Sequence, residues 1–505
     1  MSQHLDQAIA LDLPPLRRWQ TECLQQALQT LSPQTPHFLC QATPGAGKMY
    51  FAASLAKVLL EQDAIDYVLY LGPTRAVVSS AVASLEEVTD LSMNGKLGAL
   101  GAGFTYHALK NRLNDLMRLG QRARILLIWD ESHHAAGHNG ASAGANQWGK
   151  ALMALERHVR LTVALSGTPW RTDGSCLPLL RYLEVEDHDD DSDETEAPAQ
   201  QRQLQPDFVY TLRDAIADGV CRHPQMELVD NRSITLKGFH LKTGRPETHR
   251  FSNIPRLLTH PAVHYASLVR DDALIDRLLT LGNQRLTAVR QQHPDAAGLV
   301  VATDIMHAEE IAQRLEEKGQ DVCLVTSREP NAHAKLKRFR GGSTPWIVSV
   351  GMVSEGVDIP RLHVCCYLSH VRTEAFFRQV LGRIIRRIGN HDATCYLYAL
   401  NEPLLRHYAR RLSDDLPEDL ATVTVATPPD ETQGANTSAP GMAPPTTDAP
   451  PDSAASPADG SEADTSGSSD VSLTFEADAH MSPYQADVAF SHAFFERLVA
   501  LRLTS

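Results

Sequence analysis

The run Ala42-Thr43-Pro44-Gly45-Ala46-Gly47-Lys48-Met49 carries the residue types needed to hold phosphate groups, with one departure. Gly45 and Gly47 let backbone N–H groups approach phosphate oxygens without an intervening Cβ. Lys48 puts a point charge beside the outer phosphates of a nucleotide, and the helix expected to start there adds the positive end of its dipole. The next position normally presents a hydroxyl to Mg²⁺. Here it is Met49, whose soft thioether is a poor ligand for a hard cation. Further along, the apolar run Ile125-Leu126-Leu127-Ile128-Trp129 delivers Asp130 and Glu131. Such a pair suits hydrolysis of a phosphate bond: Asp130 holds the Mg²⁺ that bridges the phosphates, and Glu131 orients and deprotonates the attacking water.

Those residues must be positioned by a sheet. From 38 to 184 short apolar runs alternate with longer mixed ones, and 38–41, 67–71, 124–129 and 161–165 read as buried parallel strands with helices between them. This is the βα repeat of a doubly wound sheet closing on a phosphate loop. A second alternating set begins near 297, with strands expected at 298–302, 321–326, 346–350, 363–368 and 394–398. Helices fit at 308–317 and 374–387. The fold class is α/β, two such domains in tandem, with no second phosphate loop. Residues 205–228 read as a return to the first domain and 229–262 as a β-excursion. The expected organisation is therefore a nucleotide-binding lobe over 1–228 with an acidic loop at 184–199, and an excursion and helix over 229–290. A second lobe over 291–411, a disordered linker over 412–475 and a helical segment over 476–505 follow. The linker is rich in Pro, Ala, Ser, Thr, Gly and Asp and cannot bury a core. The last segment regains apolar residues and is expected to dock on the body or on a protein partner.

Composition constrains the partner. The net charge of −14 is unevenly spread: 184–196 holds nine acids and 412–496 sixteen, neither with any Lys or Arg. Taking those twenty-five acids away leaves the remainder at +11, which suits a polyanion such as nucleic acid. Acids concentrating in unstructured segments explain the tail but not the basic body. The eight cysteines are scattered without a C-x-x-C pair and read as core residues in a reducing compartment. No long apolar run and no signal-peptide pattern is present, so the expected location is cytoplasmic, away from membranes.

In order along the chain, these motifs resemble those of superfamily 2 helicases, most closely the DExH type related to the helicase subunits of type III restriction enzymes. Arg18-Trp19-Gln20 is similar to the adenine-reading motif, Pro73-Thr74-Arg75 to motif Ia and Phe104-Thr105-Tyr106 to motif Ib. Ser166-Gly167-Thr168-Pro169 is similar to motif III, Val353-Ser354-Glu355-Gly356-Val357-Asp358 to motif V, and Gln379 to Arg386 to the Q-x-x-G-R-x-x-R of motif VI. The resemblance spans roughly residues 12–410 and implies two RecA-like lobes with ATP and Mg²⁺ between them. It implies Lys48, Asp130, Glu131, Gln379, Arg383 and Arg386 as the catalytic set, with Asp130 on the metal. Gln20, Thr43–Met49, Gly356 and Asp358 would surround the nucleotide, Asp358 as support for the cleft. Thr74, Arg75 and Thr105 would touch nucleic-acid phosphates, and His133, Ser166 and Thr168 would couple the two sites. DNA is favoured over RNA.

Each assignment has an ordinary competitor. Gln20 also fits an exposed helix position, and Arg383 and Arg386 also fit salt bridges to the acidic loop. His133, His134 and His138 have a metal-like spacing, but an Ala- and Gly-rich loop is a poor cage. Met49 leaves two readings: hydrolysis at a reduced rate, or nucleotide binding with hardly any hydrolysis, as in an adaptor. A motor subunit of a restriction or defence system, its nuclease on a partner, is a third role.

Overall fold

The computed structural model describes residues 13–131, 147–167, 179–185, 201–240, 245–326, 328–329, 331–351, 359–387, 389, 393–414 and 484–499. The first sheet contains β1 (His37–Ala42), β2 (Tyr67–Gly72), β3 (Gly101–Thr105), β4 (Ile125–Asp130) and β5 (Leu161–Ser166). β6 (Tyr182–Val185) and β7 (Gln201–Leu204) form a separate antiparallel pair, so the acidic stretch starts inside a strand. β8 (Phe208–Tyr210) completes the first sheet in the order β3-β2-β4-β5-β1-β8, every neighbour parallel. β4 and β5 are buried along their whole length, which is why both read as unbroken apolar runs. Alternate residues feed the two faces: Leu126 and Ile128 join one core cluster, Ile125, Leu127 and Trp129 the other.

The second sheet holds β9 (His223–Asn231), β12 (Ala297–Ala302), β13 (Val322–Val325), β14 (Trp346–Ser349), β15 (Leu362–Leu368), β16 (Thr394–Leu400) and β18 (Phe494–Val499). Its order is β13-β14-β12-β15-β16-β9-β18, parallel except for β18. Between them, β10 (Ile234–His240), β11 (Pro246–Phe251) and β17 (Tyr484–Phe490) form a small antiparallel sheet. The architecture is two tandem α/β lobes of RecA-like type, as the motif order implies.

Three expectations need correction. The stretch 205–228 does not return whole to the first lobe: β8 does, but β9 pairs with β16 from Thr394↔His223 to Leu400↔Val229 in the second sheet. Nothing in its residues distinguishes the sheet it will join, because both sheets want a buried parallel strand. The helix Asp272–Arg290, placed with the excursion, packs on β12, β15 and β16 and so covers the second sheet. Of the final segment, the described residues 484–499 are strands and not a helix. β17 pairs with β10 and β18 with β9, and Asn231 Nδ2 donates to Ser491 O at 2.7 Å where the two ribbons bend together. Val488 and Phe490 alternate with the exposed Asp487 and Ala489, the period of a strand, and the bare edges of β9 and β10 supply the backbone partners. Arg277 pairs with Glu496 across this seam. The helix Pro403–Asp414 runs past 412, and the rest of the expected linker lies outside the described residues.

Candidate nucleotide site between the lobes

The loop after β1 turns on two glycines in the left-handed region, Gly45 at φ +81° and Gly47 at φ +94°. Gly47 caps the helix Lys48–Glu61, so Lys48 stands at its positive end. Any side chain at Gly45 would meet Arg386, whose Cγ lies 2.9 Å from the position a Cβ would take. Lys48 Nζ donates to Ala42 O at 3.0 Å, bracing the loop. Thr43 and Ala46 are buried in it, and Thr43 N donates to Tyr210 O at 3.0 Å.

The helix Arg18–Thr30 holds the loop from outside. Trp19 stacks on Tyr210 with centroids 4.8 Å apart, which seats the helix against β8. Gln20 is buried rather than exposed, and its Nε2 donates to Gly47 O at 2.9 Å while its Oε1 accepts from Arg17 N at 2.8 Å. Arg17 reaches the loop as well, donating to Ala46 O at 2.6 Å. Gln20 thus ties the phosphate loop to the entry helix.

At the end of β4 the buried Asp130 receives two hydrogen bonds. Glu131 N donates to Oδ1 at 3.0 Å and the Tyr70 hydroxyl donates to Oδ2 at 2.8 Å. A second phenol, Tyr106, donates to Asp130 O at 2.5 Å. Burial first and the charge of Glu131 second push the Asp130 carboxyl up to about 6, with Lys48 and Tyr70 opposing. Burial also raises the Tyr70 phenol well above its ordinary range, so it remains a donor. Glu131 sits at φ +53°, a strained conformation for a non-glycine residue.

The second lobe faces these groups. The helix Glu374–Ile384 carries Gln379 and Arg383, and Arg386 follows it in an isolated bridge to Cys221. The helix touches the phosphate loop directly: a Cβ on Gly382 would lie 2.5 Å from Pro44 Cβ. Wholly buried Arg222 fixes its far end, donating to Ile384 O at 2.8 Å, Pro360 O at 2.7 Å and Leu362 O at 2.5 Å. Lys48, Met49, Asp130 and Glu131 therefore line one cavity of about 380 Å³, closed from the other side by Gln379, Arg383 and Arg386.

The remaining sequence-predicted residues divide. Thr74 and Thr105 are helix N-caps whose hydroxyls accept from Val77 N at 3.3 Å and Ala108 N at 3.2 Å; Arg75 is exposed beside the first of them. Ser166 is buried at the end of β5. His133, Thr168, Gly356 and Asp358 lie outside the described residues, as do His134 and His138. Among the described residues there is no group of three His, Cys, Asp or Glu side chains fit for a metal, and no helix long and apolar enough to cross a membrane. Sequence reasoning missed Tyr70, Arg17 and Arg222, and it placed Tyr106 in motif Ib without giving it a role. Arg17 directly precedes the Arg-Trp-Gln motif and so had a signal; Tyr70 was hidden in an apolar strand.

Nucleotide and metal fit what is present. The glycine positions form a cradle that a Cβ would fill, and Asp130, which lines the cavity, has hard carboxylate oxygens that each accept one hydrogen bond and so keep a lone pair for a cation. Met49 is half-buried, packed against the core, and adds nothing to such a cation.

Parts of this chain are similar to known proteins. Residues 13–171 match the family described as type III restriction enzyme, res subunit. The chain is similar to an uncharacterized protein of Mycobacterium tuberculosis strain H37Rv, 30% identical over 391 residues, which are 74% of this chain and 59% of that protein. An uncharacterized protein of Mycobacterium leprae strain TN is 28% identical over 397 residues, 76% of this chain and 62% of that one. The chain thus spans about three fifths of the length of these relatives. In fold it is similar to a fragment structure assigned to the HsdR subunit of a type I restriction enzyme from Vibrio vulnificus YJ016. The TM-score there is 0.53 at 17% identity, covering 83% of this chain and 70% of that one. Residues 13–171 are thus similar to the type III restriction enzyme res subunit family, and the paired RecA-like sheets share the fold of the restriction-enzyme fragment.

Proposed function

We propose that the chain hydrolyses ATP between its lobes and uses the cycle to move along or separate nucleic acid, DNA in preference to RNA. One observation carries this reading: acids and Lys48 from the first lobe share a cavity with Gln379, Arg383 and Arg386 from the second. In it, Lys48 and the loop N–H groups bind the phosphates, and Glu131 positions water and accepts its proton. Arg383 and Arg386 meet the charge that builds on the departing phosphate in the transition state. Mg²⁺, when bound, would be held by Asp130 and neutralise the phosphate oxygens. Because the arginines belong to the other lobe, turnover requires the lobes to be together, which couples chemistry to lobe motion. The helix begun by Thr74 and Arg75 lines this cleft through Val77, Ser80 and Ala81, Tyr106 beside Thr105 donates to Asp130 O, and both helix N-termini offer phosphate-positioning N–H groups.

Met49 supports a second reading, a nucleotide-binding adaptor that hardly hydrolyses. A steady-state ATPase titration with single-stranded DNA, duplex DNA and RNA separates them. Stimulation by DNA supports the motor; nucleotide binding without turnover on any of the three supports the adaptor. A role as motor subunit of a restriction system, with the nuclease elsewhere, agrees with the family match over the first lobe.

A further inference from the structure

Met49 takes from the phosphate loop a hydroxyl that would otherwise face the metal, and the structure places a different hydroxyl on the metal-binding carboxylate. Tyr70 stands on β2, fully buried in the core and among the residues that line the cavity. The hydroxyl donates to Asp130 Oδ2 at 2.8 Å. Asp130 Oδ1 is held separately by Glu131 N at 3.0 Å, so each carboxylate oxygen is fixed by one donor. The backbone makes room for this: at Gly72 a Cβ would stand 3.0 Å from Tyr70 Cε1 and 3.2 Å from its oxygen. A tyrosine that served only as core would not need its polar end on the single buried acid of the site.

We propose that Tyr70 is a positioning residue that holds Asp130 in its metal-binding orientation, supporting from β2, through the carboxylate, the same cation that a hydroxyl at position 49 would ligate from the loop. The inference rests on the nucleotide reading above. It predicts that the hydroxyls of Tyr70 and of a threonine placed at 49 are interchangeable in part.

The test uses the full chain and Mn²⁺ as a paramagnetic stand-in for Mg²⁺, titrated by electron paramagnetic resonance with ADP, alongside ADP binding without metal. Tyr70→Phe keeps the ring and removes only the hydroxyl. It should weaken Mn²⁺ binding in the ADP complex roughly tenfold, the scale of one hydrogen bond to a charged group, while metal-free ADP binding stays within error. Adding Met49→Thr to Tyr70→Phe should recover most of that loss, whereas Met49→Thr alone should gain less. Unchanged Mn²⁺ affinity in Tyr70→Phe, with ADP still bound, overturns the role of Tyr70 and leaves the nucleotide reading standing. Equal gains from Met49→Thr in both backgrounds also overturn it, because the two hydroxyls would then act independently. A wild-type chain that binds neither ADP nor Mn²⁺ with ADP overturns the inference and the reading together.

Discussion

Gly382 offers a sharp test of whether the observed contact between lobes is the working one. It lies inside the helix Glu374–Ile384, where Ala is favoured over Gly by about 1 kcal/mol, so Gly382→Ala should not weaken the second lobe by itself. Across the cleft, however, the added Cβ would sit 2.5 Å from Pro44 Cβ. Carbon atoms rest at roughly 3.5–4.0 Å, so the helix must withdraw from the phosphate loop by about 1–1.5 Å. Gln379 and Arg383 ride on that helix and Arg386 follows it. A displacement of about 1 Å at reacting groups costs on the order of 100-fold in rate. The expected result is a DNA-stimulated ATPase lowered about 100-fold at saturating ATP. Fluorescent-nucleotide affinity should change little, because the loop, Lys48 and Asp130 all belong to the first lobe. Thermal unfolding should show no loss of stability. Full turnover in Gly382→Ala would refute the reasoning, since this lobe contact would then not be the one in which hydrolysis occurs.

Other outcomes are equally specific. Arg386→Ala should leave ATP binding largely intact and reduce hydrolysis, by 10³-fold or more if it acts as arginine fingers do; an equal fall in affinity and turnover would make it a ground-state contact. Arg222→Met leaves the carbonyls of Ile384, Pro360 and Leu362 without their donor, so the urea midpoint should drop by the equivalent of roughly 3 kcal/mol or more; a smaller change would mean water replaces the guanidinium. His307 is buried, its Nε2 has no partner among the described residues, and burial and then Arg270 lower it to about 4. Its stabilising contribution is therefore complete above the ordinary value near 6.5 and is lost as pH falls toward 4. His307→Gln should reduce the slope of stability against pH in that window by up to about one proton, and an unaltered slope would exclude His307 as the source.

Legibility followed burial. Strands β1, β2, β4 and β5 of the first sheet could be read because parallel strands covered on both sides are continuous apolar runs, whereas β3, with two glycines, and the three-residue β8 could not; the ends of β1 and β4 could be placed because Gly45, Lys48, Asp130 and Glu131 interrupt them with residues no core would choose. Tyr70 could not be read. In Tyr67–Gly72 a tyrosine looks like any other large core residue, and only the fold reveals that its hydroxyl reaches an acid sixty positions away. Gln20 was visible as a motif, yet its partner, the Gly47 carbonyl, is a backbone atom with no signature in sequence. The assignment of β9 depended on which sheet had an open edge, a property of topology rather than of its own residues. At the end of the chain, Val488, Phe490, Phe494 and Phe495 fit a helix or two strands about equally, and the edges of β9 and β10 decided the matter.

The pairing of β18 with β9 also orders events during synthesis. β9 is complete at Asn231, but the strand that covers its outer edge begins only at Phe494. At about 5–20 residues per second, that edge and the neighbouring edge of β10 stay open on the ribosome for roughly 10–50 s. Open edges pair with whatever strand is near, including the same segment on an adjacent nascent chain. A chain shortened anywhere before Tyr484 keeps both edges bare permanently, so deletions made to probe the acidic linker should remove 415–483 and retain β17 and β18. The two strands at 484–499 are thus the ones that end the exposure of these edges to other copies of the chain.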